Sequence, residues 1–298
     1  MSQAFASDRL SLRPILLLSA TILGWGLAWP MIKVGLNEIP PWTYRGLMLP
    51  VAGVVMFAVA RALGERFALP TGQWGLLLAS SFLNITCWTL FSTLGLRLMG
   101  SGHASILAYT MPLWAVILSM LLIGERPTLR RIVGLLLGLT GLFVLLVGEF
   151  GVLAESPPGT LLMLISAITW GAGTVLHKRV AWTLPAGMTI AWMIFLGGLP
   201  ITAVALVTEL DDLQPISWTA AWATLFVLLI SVVACWFAWF SVVKMVPVIV
   251  SSVSIMGVPV VAVISGALIL SEHLDVQEVV ALGLVLGAIA LVVVPARR

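Results

Sequence analysis

The chain has 298 residues, 61% of them hydrophobic and 9% charged, with a formal net charge of +3. A soluble domain carries about 25% charged residues, so a water-facing surface could not be covered and a soluble enzyme or nucleic-acid binder is excluded. Apolar runs of roughly 20 residues, the length that crosses a bilayer as a helix, recur along the whole chain and point to an all-α polytopic membrane protein.

Pro, Gly and charge breaks divide the sequence into ten predicted spans, near 14–36, 41–62, 73–97, 102–124, 129–148, 158–179, 187–208, 217–243, 247–270 and 276–295. The apolar segment after the polar residues 1–13 is too long for the core of a cleaved signal, so it reads as a retained first span. Lys and Arg then sort unevenly. Twelve (Arg9, Arg13, Arg61, Arg66, Arg126, Arg130, Arg131, Lys178, Arg179, Lys244, Arg297 and Arg298) fall on one side, and three (Lys33, Arg45 and Arg97) on the other. The positive-inside rule places both termini in the cytoplasm. Cys87 and Cys235 lie inside apolar runs, where a structural disulfide is not expected, and no metal-ligand spacing or cofactor motif occurs.

In chain order, span one carries "WGLAWPMIK", which sets Trp25, Trp29 and Lys33 on one helix face. Lys33 is either part of a solute path or an anchor snorkelling to the headgroups. Arg45, early in span two, reads as an interfacial anchor. Span three sets Asn84, Cys87, Trp88 and Phe91 on one face, and a mid-span amide is costly unless that face looks inward. Span four sets Ser105, Tyr109 and Pro112 at i, i+4, i+7. Span five carries "GLLLG" (Gly134, Gly138), a small-xxx-small motif that allows close helix approach.

Span six repeats the geometry of span one with Trp170, Thr174 and Lys178. Here Lys178, beside Arg179, reads most simply as a cytoplasmic anchor, with His177 next to it. Span eight contributes Trp236 and Trp239. Span nine sets Ser252, Met256 and Pro259 at the spacing of span four, and its "SSVS" offers hydroxyls to a polar solute or to its own backbone. Span ten carries "GLVLG" (Gly283, Gly287). Among the tryptophans, Trp42, Trp74, Trp182, Trp218 and Trp222 fall near span ends and suit the interfacial belt. Trp25, Trp88, Trp114, Trp170, Trp192, Trp236 and Trp239 fall deeper. Lipid supplies no partner for a deep indole N–H, so these face another helix or a wet cavity.

An internal repeat links the two sets. Trp25-Gly26 and Trp170-Gly171 stand 145 residues apart, "CWTLF" at Cys87 and "CWFAWF" at Cys235 stand 148 apart, and Pro112 and Glu125 match Pro259 and Glu272 at 147. Five spans per half invert the second half relative to the first, a transporter architecture with the path at the seam. The chain divides into a cytoplasmic segment 1–13, a first five-helix repeat 14–148, an outer linker 149–157 and a second five-helix repeat 158–298. On the W-G pairs, Pro112 and Pro259, and Gly124-Glu125 with Ser271-Glu272, it resembles the drug/metabolite transporter superfamily, in particular its ten-helix EamA-type exporters. Its tryptophan-rich interior looks most like the YddG-type exporters of aromatic amino acids. The resemblance implies that the proline-bearing helices line the path and flex there. It also implies that the small-xxx-small helices sit at the edge of the core, giving a monomer or a weak homodimer.

The expected function is export of small, partly apolar metabolites across the inner membrane. Aromatic or other neutral amino acids come first, by alternating access without a cofactor. Expected substrate contacts are Trp25, Trp29, Asn84, Trp88, Tyr109, Trp170, Trp239, Ser252 and Met256. Pro112 and Pro259 are the gating positions, and Lys33 and His177 the charged candidates. Cationic or aromatic drugs, with proton coupling, form the alternative, and a channel a third reading. No predicted span holds a carboxylate at mid-membrane, which favours a facilitator. An enzyme is not expected, because no nucleophile and base are arranged together.

Overall fold

A computed structural model describes residues 11–68, 71–98, 107–146, 156–212, 214–270 and 276–293. Among these residues the chain is helical and contains no strand. Six helical stretches are long and apolar enough to cross a membrane, from Leu12–Leu36 to Trp218–Met245, and shorter apolar helices accompany them.

The elements are α1 (Leu12–Leu36), α2 (Pro41–Ala62), α3 (a rod over 74–98), α4 (Met111–Ile123), α5 (Leu129–Leu146), α6 (Pro157–Arg179), α7 (Ala186–Thr208), α8 (a rod over 218–245), α9 (a rod over 248–270) and α10 (Val276–Val293). Proline marks several starts. Pro41 and Pro157 open α2 and α6, and Pro185 and Pro247 immediately precede α7 and α9. A first-turn N–H has no intrahelical partner, so proline loses nothing there. Gly124 ends α4 in the left-handed region at φ +68°, which an L side chain resists.

Two rods carry a π-helical turn, which adds a residue to a helical turn and often marks function. In α3 it is Phe82–Cys87, and in α8 it is Val227–Ala234. Their last residues stand 147 positions apart, the offset that relates Pro112 to Pro259. The expected proline kinks take a different form. Leu107 and Ala108 are helical, the chain turns at Tyr109 and Thr110, and Pro112 sits in the first turn of α4. In α9 the break falls at Met256, and Pro259 sits in the first turn of the piece Gly257–Leu270. Each proline therefore opens a new helix rather than bending an unbroken one, since its ring and missing N–H disfavour helix just before it. The earlier part of span four, including His103 and Ser105, lies outside the described residues.

Polar contacts sort the helix ends into two groups. At one end, Glu65 after α2 accepts from the N–H groups of Gly187 (3.1 Å) and Met188 (2.9 Å) at the start of α7. At the other end, Glu209 after α7 accepts from the N–H of Thr43 at the start of α2, at 2.7 Å. Each helix is thus capped by the acid that follows the other, so α2 and α7 run antiparallel. Carboxylates suit helix N-termini because those N–H groups are unpaired and the helix dipole is positive there. The starts of α8 and α3 are likewise tied, each to a connection in the other half of the chain. The Ser217 N–H and hydroxyl donate to Glu38 at 2.6 and 2.7 Å before α8, and the Thr183 N–H and hydroxyl donate to Gln73 Oε1, both at 2.9 Å, before α3.

Packing follows one pattern. α2 lies along α7 and α5 along α10, while α6 crosses α3 and α4 and α1 crosses α8 and α9. The W-G pairs explain the last crossings. A Cβ at Gly171 would meet the backbone N of Ala115 at 2.9 Å, and one at Gly26 would meet Val261 and the Val258 carbonyl. The glycine of each pair is where α6 passes α4 and α1 passes α9. In α5, Gly134, Gly138 and Gly141 all face α10, so these small residues serve packing within the chain.

Candidate functional site

Where α1, α3, α6 and α8 meet, four tryptophans form a continuous series. The Trp88 and Trp170 rings lie 6.4 Å apart, Trp170 and Trp239 4.9 Å at 31°, and Trp239 and Trp25 5.9 Å. Trp236 extends it, 5.7 Å from Trp25 in a T-shaped contact. Trp170 and Trp239 are buried, whereas Trp25 and Trp88 are half-buried. Trp25 Nε1 donates to the carbonyl of Ser231 at 2.8 Å. That carbonyl belongs to the π turn of α8.

The other π turn places Asn84 against α6. Thr174, one helical turn beyond Trp170, donates its hydroxyl to Asn84 Oδ1 at 3.4 Å. A Cβ at Gly173 would stand in the space that the Asn84 amide fills. Asn84 and Trp239 are both fully buried, and Asn84 Nδ2 and Trp239 Nε1 find no acceptor among the described residues. An unpaired buried donor costs about 1–3 kcal/mol. Two such donors beside α6 suit a ligand that brings acceptors.

The expected site residues divide on this geometry. Trp25, Asn84, Trp88, Trp170 and Trp239 come together. Tyr109 is buried in the same core at the break before α4. Ser252 is buried on α9 with an unpartnered hydroxyl, and Met256 directs its sulfur towards Gly138 of α5. The His177 ring lies at the end of α6, 4.6 Å from Phe240 and 5.7 Å from Trp182. Trp29 and Lys33 lie on α1, and their side chains fall outside the described residues.

Three expectations change. Lys178 is no headgroup anchor: its ammonium pairs with Glu125 at 2.8 Å, the two side chains being 11% and 19% exposed. Trp42, expected in the interfacial belt, is buried at the start of α2. Trp192, expected deep, sits beside Phe57, Phe67 and Trp74 and donates to the Ala68 carbonyl at 3.1 Å, near the end of its bundle. The π turns and the Ser231 carbonyl were missed altogether, since an inserted helical residue leaves no mark in hydropathy. The Lys178–Glu125 pair did leave one, because both residues fall on the lysine- and arginine-rich side.

A groove of about 340 Å³ between α3 and α7, from Leu78 to Pro200, is mostly apolar and gathers no convergent polar groups. It belongs to the outer surface of the bundle.

Comparison with known proteins places this geometry in context. The sequence model of the EamA-like transporter family matches twice, over residues 12–147 and 157–294. "Uncharacterized transporter YvbV" of Bacillus subtilis is 27% identical over 282 residues, which is 94% of this chain and 91% of that protein. "Uncharacterized inner membrane transporter YedA" of Escherichia coli K12 is 27% identical over 280 residues, covering 92% and 89%. A crystal structure 22% identical superposes with a TM-score of 0.82 over 93% of this chain and 95% of that one, a likeness of fold alone.

Proposed function

The chain belongs to the EamA-like transporter family and is a membrane transporter; from that premise we propose that it exports small, partly apolar metabolites, foremost aromatic or other neutral amino acids. In this reading ten helices form two inverted five-helix repeats with both termini in the cytoplasm of an inner membrane. The solute passes between the repeats by alternating access. The double family match, the paired π turns and the reciprocal caps of α2 and α7 support the inverted arrangement.

The substrate reading rests on one observation: the tryptophan series flanked by the unpartnered donors of Asn84 and Trp239. Indole faces stack on an aromatic or apolar side chain. The two donors suit a carboxylate, which accepts without donating. Among the described residues no acid joins this cluster, which disfavours a cationic drug, although a cation over indole faces remains the second reading.

Transport in proteoliposomes tests it. Phenylalanine or tryptophan should exchange saturably and compete with one another, and a conductance step would instead mark a channel. Absence of any neutral amino acid flux, with flux of organic cations in its place, would reverse the order of the two readings. Accumulation driven by a pH gradient alone would overturn the facilitator reading. A tag-accessibility map that puts the termini on opposite sides would overturn the two-pentad arrangement.

A further inference from the structure

A second polar cluster lies at the C-terminal end of α6, two turns from Trp170. Glu125, just past the left-handed Gly124, pairs with Lys178 through Oε1 at 2.8 Å, and its Oε2 accepts from the N–H of Val248 at 2.9 Å. Lys178 also donates to the Val246 carbonyl. Lys244 donates to the carbonyl of Lys178 at 3.1 Å and to that of Val180. The ends of α4, α6 and α8 and the start of α9 are thereby stitched at one point. The first and last of these elements flank the breaks at Tyr109–Thr110 and Met256.

Separating these ends parts a largely buried cation from a largely buried carboxylate, and each must find a new partner. An organic cation repairs only Glu125, and an organic anion only Lys178. A zwitterion repairs both, because its ammonium and carboxylate sit on one carbon and span a distance like that of the pair they replace. We propose that the Lys178–Glu125 pair is a binding site for the zwitterionic head group of the solute. The solute carboxylate takes the place of Glu125 on Lys178, and its ammonium takes the place of Lys178 on Glu125. At this position the side chain points on towards Trp170, two turns up the same face of α6, and the carboxylate passes to the Asn84 and Trp239 donors only at the next position along the path. Lys244 holds backbone carbonyls at this mouth and is the adjacent second cation. This deepens the amino acid reading and rests on it: the ion pair becomes the element that selects doubly charged heads over singly charged ones.

The test uses purified full-length protein in proteoliposomes. Labelled phenylalanine is competed by phenylalanine, by phenylalanine amide (ammonium only) and by 3-phenylpropionate (carboxylate only). Wild type should prefer the zwitterion over both by about tenfold or more, as expected when one charge-assisted contact is lost. The E125Q/K178M variant removes both charges and leaves neither unpaired, and its preference should collapse to within about twofold. Ligand-induced thermal shifts in detergent give the same ratio if the variant binds without transporting. Wild type that accepts amide and zwitterion alike overturns the proposal even if the variant fails to fold. A folded variant that runs slowly but keeps the wild-type order of preference overturns it too, and makes the pair a brace. Absence of neutral amino acid flux in wild type fails the substrate reading first, a distinct outcome, and this site falls with it.

Discussion

The stretches 12–147 and 157–294 match one family model, yet they fill the molecule differently. Among the described residues the largest fully buried side chains, Trp170, Trp239 and Phe240 among them, come from the second stretch, with Leu77 and Ile85 as exceptions. The first stretch contributes the buried amide of Asn84 where the second, 147 positions on, has Ser231. It also contributes the acids Glu38, Glu65 and Glu125, each of which accepts from the second stretch. One stretch brings apolar bulk and the other brings many of the polar atoms that hold it. The two stretches thus differ at a few positions, and several of those are where one stretch meets the other.

Substitutions in matched pairs sharpen this contrast. The largest effect is expected from K178M, which leaves the Glu125 carboxylate largely buried without its cation. It should cost about 3 kcal/mol, while E125Q/K178M recovers most of that. Unfolding midpoints in detergent would check both, and equal losses in the two variants would contradict a coupled pair.

The two helix crossings come next. G171A places a Cβ against the Ala115 backbone, which cannot yield without moving α4, and should cost about 2–3 kcal/mol. G26A places a Cβ 2.4 Å from the Cβ of Val261, an atom the α9 backbone fixes, and should cost as much, about 2–3 kcal/mol. A loss well below this in either variant would mean that its crossing opens to admit the methyl group.

Indole N–H groups give a smaller contrast. W25F strands the Ser231 carbonyl and should cost about 1–2 kcal/mol beyond the packing change. W239F removes a donor that has no partner, so beyond the packing change it should cost no more than about 0.5 kcal/mol while amino acid transport falls. Unchanged transport in W239F would remove that donor from the site.

The reciprocal caps follow. E209Q and E65Q should each cost about 1 kcal/mol, with E209Q the costlier because Glu209 is buried.

Smallest of all is a difference in pH response. The N–H and hydroxyl of Ser217 hold the Glu38 carboxyl below its ordinary value. A carboxyl whose folded pKa is lowered stabilises the fold above its unfolded pKa, and that contribution is lost as pH falls through the folded one. The difference in thermal midpoint between wild type and E38Q should therefore shrink from neutral pH into the acid range. The matched Gln73–Thr183 contact has no titrating group, so Q73A should show a pH-independent difference. A parallel decline in both would point to a general acid effect.

Much of the helical fold was legible in the sequence because lipid leaves few choices: helix-length apolar runs and the proline and glycine breaks between them act locally. The convergence of Asn84, Trp88, Trp170 and Trp239 was legible from helical spacing and from the need of deep polar groups for partners. The π turns were not, since Phe82–Cys87 reads like any apolar helix. Spacing set Met256 on a face but did not name the neighbour its sulfur meets, Gly138. Lys178 was misjudged because a terminal lysine looks the same whether it reaches headgroups or a carboxylate on another helix. That distinction depends on Glu125, 53 residues earlier in the chain.

The exchanged caps of α2 and α7 also bear on how the protein is made. The Thr43 amide leaves the ribosome 166 residues ahead of the carboxylate that satisfies it, and the Glu65 carboxylate emerges 122 residues ahead of the Gly187 amide. Until α7 is made, the start of α2 and the Glu65 carboxylate therefore lack these partners. A nascent chain that ends before residue 209 thus lacks the side-chain partner of the Thr43 amide at the start of its second helix.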